Sequence, residues 1–188
     1  MKYFCYHLAR PFIKIFMKVF YRIEVENENV LKNESYLLAG NHTSVLDPLL
    51  IISSTKKHIN FFAKKEIFKP IIKYLFKNAG VISVDRKSKN KEAMEEGKKR
   101  LLNNELVLIF PEGTTNKTRE LLPFKYGAVS LASKTNSKIL PFVIKGKYKL
   151  FRKSIKLIYL NPYSLKSDDL TKENEKLKKI IEKELNNE

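Results

Sequence analysis

Residues 36–48 read YLLAGNHTSVLDP, an apolar run followed by a polar turn and a helix start. The run Tyr36–Gly40 is continuous in its hydrophobicity, which is typical of a strand buried on both faces. Pro48 favours the first position of a helix, and this makes Asp47 a candidate N-cap. The stretch therefore predicts a strand, a short loop and a helix, with His42 at the carboxyl end of the strand.

The spacing between His42 and Asp47 limits how the two side chains can meet. In a straight helix, five steps of about 100° would place them about 140° apart. They can meet only if His42 lies on the irregular turn before the helix. There the carboxylate would fix one imidazole tautomer and leave the other nitrogen to accept a proton from a substrate hydroxyl. The alternative is a capping Asp beside a loop His without a chemical role.

Outward from this stretch, strand-like and helix-like segments alternate along the chain. The predicted strands are Arg22–Glu26, Tyr36–Gly40, Ile59–Ala63, Val81–Val84, Leu106–Phe110, Ile139–Lys145 and Ile155–Leu160. The predicted helices are Pro48–Ser54, Lys69–Asn78, Lys89–Asn103, Tyr126–Thr135 and a terminal helix at about 170–185. We predict one α/β domain over residues 22–188, with a largely parallel mixed sheet flanked by helices.

The composition fits such a domain and adds a strong positive charge. The 188 residues are 43% hydrophobic, enough for one sizeable core. A total of 37 Lys and Arg against 20 Asp and Glu gives a net charge of +17, which favours an anionic partner such as a membrane surface or nucleic acid. Alternatively, part of this excess reflects a Lys-rich composition without a function. Cys5 is the only cysteine, so no intramolecular disulfide can form and a reducing compartment is expected.

Residues 1–21 differ from the rest because aromatic and aliphatic side chains alternate with cations. Arg10, Lys14, Lys18 and Arg22 recur every four residues, which predicts a basic stripe along a helix. No apolar run approaches the roughly 18 residues of a transmembrane helix. We therefore predict an amphipathic segment lying in the interface of an anionic membrane. The alternative is a terminal helix that packs on its own domain.

A second motif follows another buried-strand pattern, at Phe110-Pro111-Glu112-Gly113-Thr114. Gly113 allows the backbone to turn closely around a ligand. The Glu112 carboxylate would accept hydrogen bonds from a polyol or position a cation, and the N–H groups of the turn would receive an anion. The alternative is a turn that only ends the strand.

Cations follow other predicted strands at equivalent positions. Lys64 comes after the strand Ile59–Ala63, and Arg86 comes after Val81–Val84. Open α/β sheets bind ligands at the carboxyl ends of their strands, and Arg suits bidentate recognition of phosphate. Lys125 offers a further cation near the same edge. Each one alone is more often a solvated surface charge.

Four blocks, taken in order, resemble the glycerolipid acyltransferase family, in particular its bacterial 1-acyl-sn-glycerol-3-phosphate acyltransferases. They are NHTSVLD at 41–47, AKKE at 63–66 with GVISVDR at 80–86, FPEGT at 110–114, and ILPFV at 139–143. The resemblance extends from about Arg22 to Tyr163, with a motif core at about 36–145.

The resemblance implies a role for each matching residue. His42 would be the general base and Asp47 its orienting partner. Lys64 and Arg86 would bind the acceptor phosphate, Glu112, Gly113 and Thr114 would shape the glycerol-phosphate site, and Pro141 would belong to the acyl pocket.

One position departs from the family pattern. The family usually carries Arg-Ser after Glu-Gly-Thr, whereas this chain has Thr115-Asn116. Lys117 and Arg119 lie close enough in sequence to substitute for that arginine. The departure leaves the identity of the acceptor open.

The implied reaction moves a fatty acyl group from acyl-CoA or acyl-carrier protein to the free hydroxyl of 1-acyl-sn-glycerol-3-phosphate, giving phosphatidic acid in phospholipid biosynthesis. We expect no cofactor besides the acyl donor and no metal, because His7, His42 and His58 are not at ligand spacing. The expected location is the cytoplasmic face of the cell membrane, as a peripheral or monotopic protein. Two alternatives are another acceptor (glycerol-3-phosphate, a lysophospholipid or an aminolipid) and a basic nucleic-acid-binding module. The sequence leaves the oligomeric state open.

Overall fold

A computed structural model of the chain describes residues 3–32, 34–67, 74–76, 78–85, 90–118 and 120–187. Within them seven strands form one sheet in the order β1-β7-β6-β2-β5-β3-β4. The strands are β1 (Glu24–Glu26), β2 (Leu37–Gly40), β3 (Ile59–Lys64), β4 (Val81–Val84), β5 (Leu106–Ile109), β6 (Ile139–Gly146) and β7 (Ile155–Tyr159). Strands β2 to β6 run parallel, while β7 is antiparallel to β6 and β1 pairs with β7. This confirms the predicted single α/β domain with a largely parallel mixed sheet.

Helices cover both faces of this sheet. They are α1 (Phe4–Phe20), α2 (Asp47–Ser54), α3 (Lys91–Leu102), α4 (Gly127–Thr135) and α5 (Leu170–Asn186), with short 3-10 turns at Glu28–Lys32 and Lys65–Ile67. Helices α2 to α5 begin and end within two residues of four predicted helices, and α1 lies within the predicted amphipathic segment 1–21. A fifth helix was predicted at Lys69–Asn78. That segment falls largely outside the described residues.

The strand side chains alternate between two hydrophobic layers. On one face Leu38 and Phe142 pack with Met17 of α1 and residues of α2. On the other face Leu37 and Val143 pack with residues of α3, α4 and α5. Because β2 is buried on both faces, its sequence is a continuous apolar run rather than an alternating one.

Helix α1 has an inner and an outer face. Tyr6 and Met17 are buried against the domain, and Arg10 Nε donates a hydrogen bond to the Thr55 carbonyl at 2.5 Å. The outer apolar side chains Phe4, Leu8, Phe12, Ile15, Phe16, Val19 and Phe20 are exposed. Thus one helix both packs on its domain and presents an apolar surface.

The basic stripe predicted for this segment is wrong in part. Arg10 turns toward the domain and Arg22 lies beyond the end of the helix, so within the stripe only Lys14 and Lys18 lie on α1 as exposed cations. The described part of the chain has no helix that combines the length and the hydrophobicity needed to span a bilayer.

Candidate active site

The loop between β2 and α2 brings His42 and Asp47 together. His42 Nδ1 lies 2.9 Å from Asp47 Oδ2. Asp47 is the first residue of α2 and not its N-cap, a position that Leu46 occupies. Its carboxylate turns back to the loop, where the N–H groups of Thr43 and Ser44 donate to Oδ2 at 2.6 and 2.8 Å. The predicted meeting of the pair on an irregular turn is confirmed, but the predicted capping role is wrong.

The other carboxylate oxygen of Asp47 accepts hydrogen bonds from two hydroxyl groups. Thr43 Oγ1 donates to Oδ1 at 3.3 Å, and the Tyr148 hydroxyl donates at 2.7 Å. Asp47 is 0% exposed, so its charge depends on these donors in place of water. An ionised carboxylate can only accept hydrogen bonds. We therefore assign the proton in the contact between His42 and Asp47 to Nδ1 of the imidazole. Nε2 is then the nitrogen available to accept a proton.

The imidazole of His42 is also fixed from the neighbouring strand. It stacks on the Phe110 ring at a centroid distance of 4.0 Å, and Phe110 meets the buried Phe142 ring edge-on at 6.0 Å. The His42 side chain is 16% exposed, so it reaches the surface while its plane is held. Such a fixed and accessible imidazole suits proton transfer to and from a bound substrate.

Glu112 joins the two motifs. It is 4% exposed, and its Oε1 accepts the His42 N–H at 3.1 Å. Its Oε2 accepts Asn116 Nδ2 at 2.8 Å and the Leu122 N–H at 3.0 Å. These contacts make Glu112 a residue that positions His42. The contact with an acceptor that was implied for Glu112 stays a prediction.

Asn116 is a second centre of this network. Its N–H donates to the His42 carbonyl at 2.6 Å, and its Nδ2 donates to the Glu120 carbonyl at 2.7 Å. Thr118 N–H donates to Asn116 Oδ1 at 2.9 Å. The first residue of the departure from the family pattern, Thr115, is exposed, whereas Asn116 is buried and structural. Arg119 lies outside the described residues, and Lys117 is exposed.

A cation lies over the turn at Gly113. Gly113 has φ +69°, the left-handed region in which glycine is favoured, and a Cβ there would lie 2.8 Å from Lys125 Nζ. The Lys125 ammonium therefore lies over the Glu112–Gly113 turn, with the half-buried Thr114 next to it in the chain. This agrees with the cation expected near this edge.

The remaining predicted site residues are Lys64, Arg86 and Pro141. Lys64 is exposed at the carboxyl end of β3, where it pairs with Val84. Arg86 lies outside the described residues. Pro141 is buried within β6 opposite Ala39, below the level of the His42 loop. The binding roles implied for these three residues stay predictions.

Besides Asn116, the residues whose site contacts sequence reasoning missed include Asn41 and Tyr148. Asn41 Nδ2 donates to the Ile144 carbonyl at 2.9 Å and its Oδ1 accepts the Ile144 N–H at 2.8 Å, which extends the pairing of β2 with β6. Tyr148 lies 101 residues from Asp47 in sequence, and no local pattern marks it. Burial, and then the charge of Asp47, raises the pKa of the Tyr148 hydroxyl, so it remains a donor.

Among the described residues, no group of three or more His, Cys, Asp or Glu side chains is placed to hold a metal ion.

Comparisons with known proteins place the chain in a family. A family model described as Acyltransferase matches residues 22–145, more than half of the chain. The chain is 32% identical over 132 residues to a 1-acyl-sn-glycerol-3-phosphate acyltransferase of Borreliella burgdorferi, covering 69% of this chain and 53% of that protein. It is 31% identical over 183 residues to the one of Saccharomyces cerevisiae, covering 89% and 57%. The chain thus spans about half the length of the curated relatives it matches.

The fold also has a solved counterpart. The crystal structure of the 1-acyl-sn-glycerophosphate acyltransferase PlsC from Thermotoga maritima superposes with a TM-score of 0.75 at 23% identity, over 96% of this chain and 79% of that one. This likeness supports the fold, and the family model and the relatives confirm the resemblance seen in the four motifs. The chain therefore belongs to the acyltransferase family.

Proposed function

We propose that this protein transfers a fatty acyl group from the thioester of acyl-CoA or acyl-carrier protein to the free hydroxyl of 1-acyl-sn-glycerol-3-phosphate, giving phosphatidic acid. The observation that carries the proposal is the His42–Asp47 pair, whose Nε2 is available at the carboxyl edge of the sheet. The acceptor is proposed from the names of the relatives.

The proposed reaction needs one base and no covalent acyl-enzyme. His42 Nε2 takes the proton of the acceptor hydroxyl while the oxygen attacks the thioester carbonyl. The C–S bond then breaks, and the departing thiolate takes the proton from the imidazolium. Asp47 stabilises the positive imidazolium between these two steps, and its buried position keeps that interaction strong.

The acceptor phosphate requires cations near His42. Lys64 and Arg86 are proposed for this role from the motif match, and the Lys125 ammonium over the Gly113 turn supports a third contact. Because Thr115 stands where the family usually has Arg, a second candidate is the same reaction on another acceptor. Comparing turnover of 1-acyl-sn-glycerol-3-phosphate, glycerol-3-phosphate and lysophosphatidylcholine would separate these candidates.

A lipid acceptor would be bound at a membrane surface, so the protein is expected to attach there. The exposed apolar face of α1, next to the cations Lys14 and Lys18, supports peripheral or monotopic attachment to an anionic surface. We place the enzyme on the cytoplasmic face, where acyl-CoA and acyl-carrier protein are available.

The direct test is His42→Ala, assayed for phosphatidic acid formation from lysophosphatidic acid and acyl-CoA. We expect a loss of about 10²- to 10⁴-fold in kcat/KM, the usual contribution of a positioned general base. Circular dichroism and the urea midpoint check that the variant is folded. Activity above a tenth of wild type in a folded variant would exclude the general-base role. Salt-sensitive DNA binding without any acyl transfer would instead favour the nucleic-acid alternative.

A further inference from the structure

We propose that the loop between β6 and β7, residues 147–153, is a second membrane-contact element, which inserts Leu150 and Phe151 into an anionic bilayer beside the end of α1. The proposal rests on the membrane location proposed above, but it is independent of which acceptor is used. We call these seven residues the β6–β7 loop.

The tip of the β6–β7 loop is apolar and exposed. Leu150 is 57% exposed and Phe151 is 56% exposed, in a domain whose other large apolar side chains mostly line two buried layers. Apart from Tyr148, the rest of the loop is basic: Lys147, Lys149, Arg152 and Lys153 are all exposed, and the loop contains no acidic residue. An apolar tip ringed by cations matches the interface of an anionic bilayer, where acyl chains lie below phosphate groups.

The tip is continuous with the apolar surface of α1. The Phe151 N–H donates to the Phe20 carbonyl at 2.5 Å, and the two rings lie 5.4 Å apart. The Phe20 ring contacts the Phe16 ring at 5.0 Å, and both are exposed. The loop therefore enlarges the membrane-facing surface of α1 instead of forming a separate patch.

The backbone holds the tip in this outward position. Phe151 has φ +59°, which is unfavourable for an aromatic residue and persists only where surrounding contacts impose it. The base of the loop is closed by the Lys147 N–H, which donates to the Ser154 carbonyl at 2.8 Å, and by Ser154 Oγ, which donates to the Lys147 carbonyl at 2.7 Å. Such a preorganised tip loses little conformational entropy when it inserts.

Charge favours a bilayer over a second copy of the chain. A self-association through this surface would bring the cations of both copies together in a protein of net charge +17. Lipid phosphates would neutralise the same cations while the acyl region receives Leu150 and Phe151.

The position of the loop also suits the proposed reaction. Tyr148, within the loop, donates to Asp47 and meets the Tyr21 ring edge-on at 5.4 Å, directly after α1. The proposed membrane contacts are thus two and three residues from a hydrogen-bond donor to Asp47. A lipid hydroxyl near the bilayer surface would reach His42 from this side.

The test uses the full chain and sedimentation with mixed phosphatidylcholine–phosphatidylglycerol vesicles. We expect the double change Leu150→Ser and Phe151→Ser to lower the partition coefficient by about tenfold or more, since both side chains would lose apolar burial. The matched control for Leu150→Ser is Leu102→Ser, because Leu102 is 58% exposed on α3, which packs on the other face of the sheet. This control should bind vesicles as wild type does.

A charge variant separately tests the cations that flank the apolar tip of the loop. Lys149→Glu with Arg152→Glu should weaken binding strongly at low salt and much less at high salt, because screening shortens the range of the attraction. The control is Lys178→Glu with Lys179→Glu on α5, which should have little effect.

The outcomes separate the two proposals. If the full chain does not bind these vesicles, both the membrane location and the loop contact are wrong. If it binds and the Leu150/Phe151 variant binds equally well while folded, the loop contact is wrong and the attachment through α1 stands. A tenfold loss in that variant, with Leu102→Ser unchanged, supports the loop contact.

Discussion

Asp47→Asn would isolate the charge of Asp47 from its geometry. The two oxygens of the carboxylate have different partners: Oδ2 faces two backbone N–H groups and His42 Nδ1, whereas Oδ1 faces the hydroxyls of Thr43 and Tyr148. An asparagine can keep its oxygen at the Oδ2 position. Its NH2 group then meets two hydroxyls, and each can rotate to accept a hydrogen bond. We therefore expect the fold and the imidazole tautomer to survive this substitution.

The activity should fall because the imidazolium loses its counter-charge. For unit charges separated by the 2.9 Å between His42 Nδ1 and Asp47 Oδ2, the Coulomb energy is about 6 kcal/mol at an effective dielectric constant of about 20. Since the imidazole is partly open to solvent, we take about 3 kcal/mol as the lower bound. This range corresponds to a loss of about 10²- to 10⁴-fold in kcat/KM.

The assay is formation of phosphatidic acid from lysophosphatidic acid and acyl-CoA, with urea unfolding measured in parallel. The control is Asp169→Asn, because Asp169 is an exposed N-cap of α5 and asparagine caps a helix equally well. That control should keep its activity. If folded Asp47→Asn loses less than tenfold, the carboxylate charge does not support the reaction and our assignment of its role is wrong.

Three further predictions concern positioning and stability. Tyr148→Phe removes one donor from the buried carboxylate, so we expect kcat to fall about 5- to 50-fold with KM little changed; a steady-state comparison with an unchanged kcat would refute this. Gly40→Ala should lower the free energy of unfolding by about 3 kcal/mol or more, because its Cβ would lie 2.4 Å from the Phe142 carbonyl oxygen. Gly127→Ala, whose Cβ would meet only a flexible side-chain end at 3.1 Å, is the control and should change little in urea unfolding. Burial lowers the pKa of His58 to about 4, so the unfolded chain binds more protons and stability should fall by up to about 3 kcal/mol as pH drops from about 6.5 to about 4; unfolding of His58→Gln should lose this dependence.

The parts of the fold that sequence predicts well are local. The apolar runs of β2, β5 and β6 predicted buried parallel strands, because a strand covered by helices on both faces needs no polar alternation. The His42–Asp47 pair was also predictable because it is local: one loop of a few residues brings both side chains together. The N–H groups of Thr43 and Ser44 in that loop turn the Asp47 carboxylate toward His42.

The parts that sequence missed depend on the order of strands in the sheet. Strand β2 lies between β5 and β6, so its loop meets Glu112 from one neighbour and Tyr148 from beyond the other. Neither contact has a periodic or local pattern. Glu112 was predicted at the correct edge, but its burial and its bond to the His42 N–H could be found only from the folded chain. Sequence reasoning also missed the backward turn of the Asp47 carboxylate. Here the reason is local, because two loop N–H groups compete with the helix start for the same acceptor.

The arrangement of donors around Asp47 links its chemistry to the side of the domain that we assign to the membrane. Thr43 and Ser44 hold the carboxylate from within its own loop, whereas Tyr148 reaches it from the loop that carries Leu150 and Phe151. The proposed acceptor has a phosphate at one end and an acyl chain at the other, so it would present its hydroxyl near the boundary between water and hydrocarbon. Since Tyr148 is two and three residues from the proposed membrane contacts and donates to Asp47, His42 would meet that hydroxyl without extraction of the lipid into solution. Tyr148 is therefore the donor that would connect the charge of Asp47 to the proposed membrane contact.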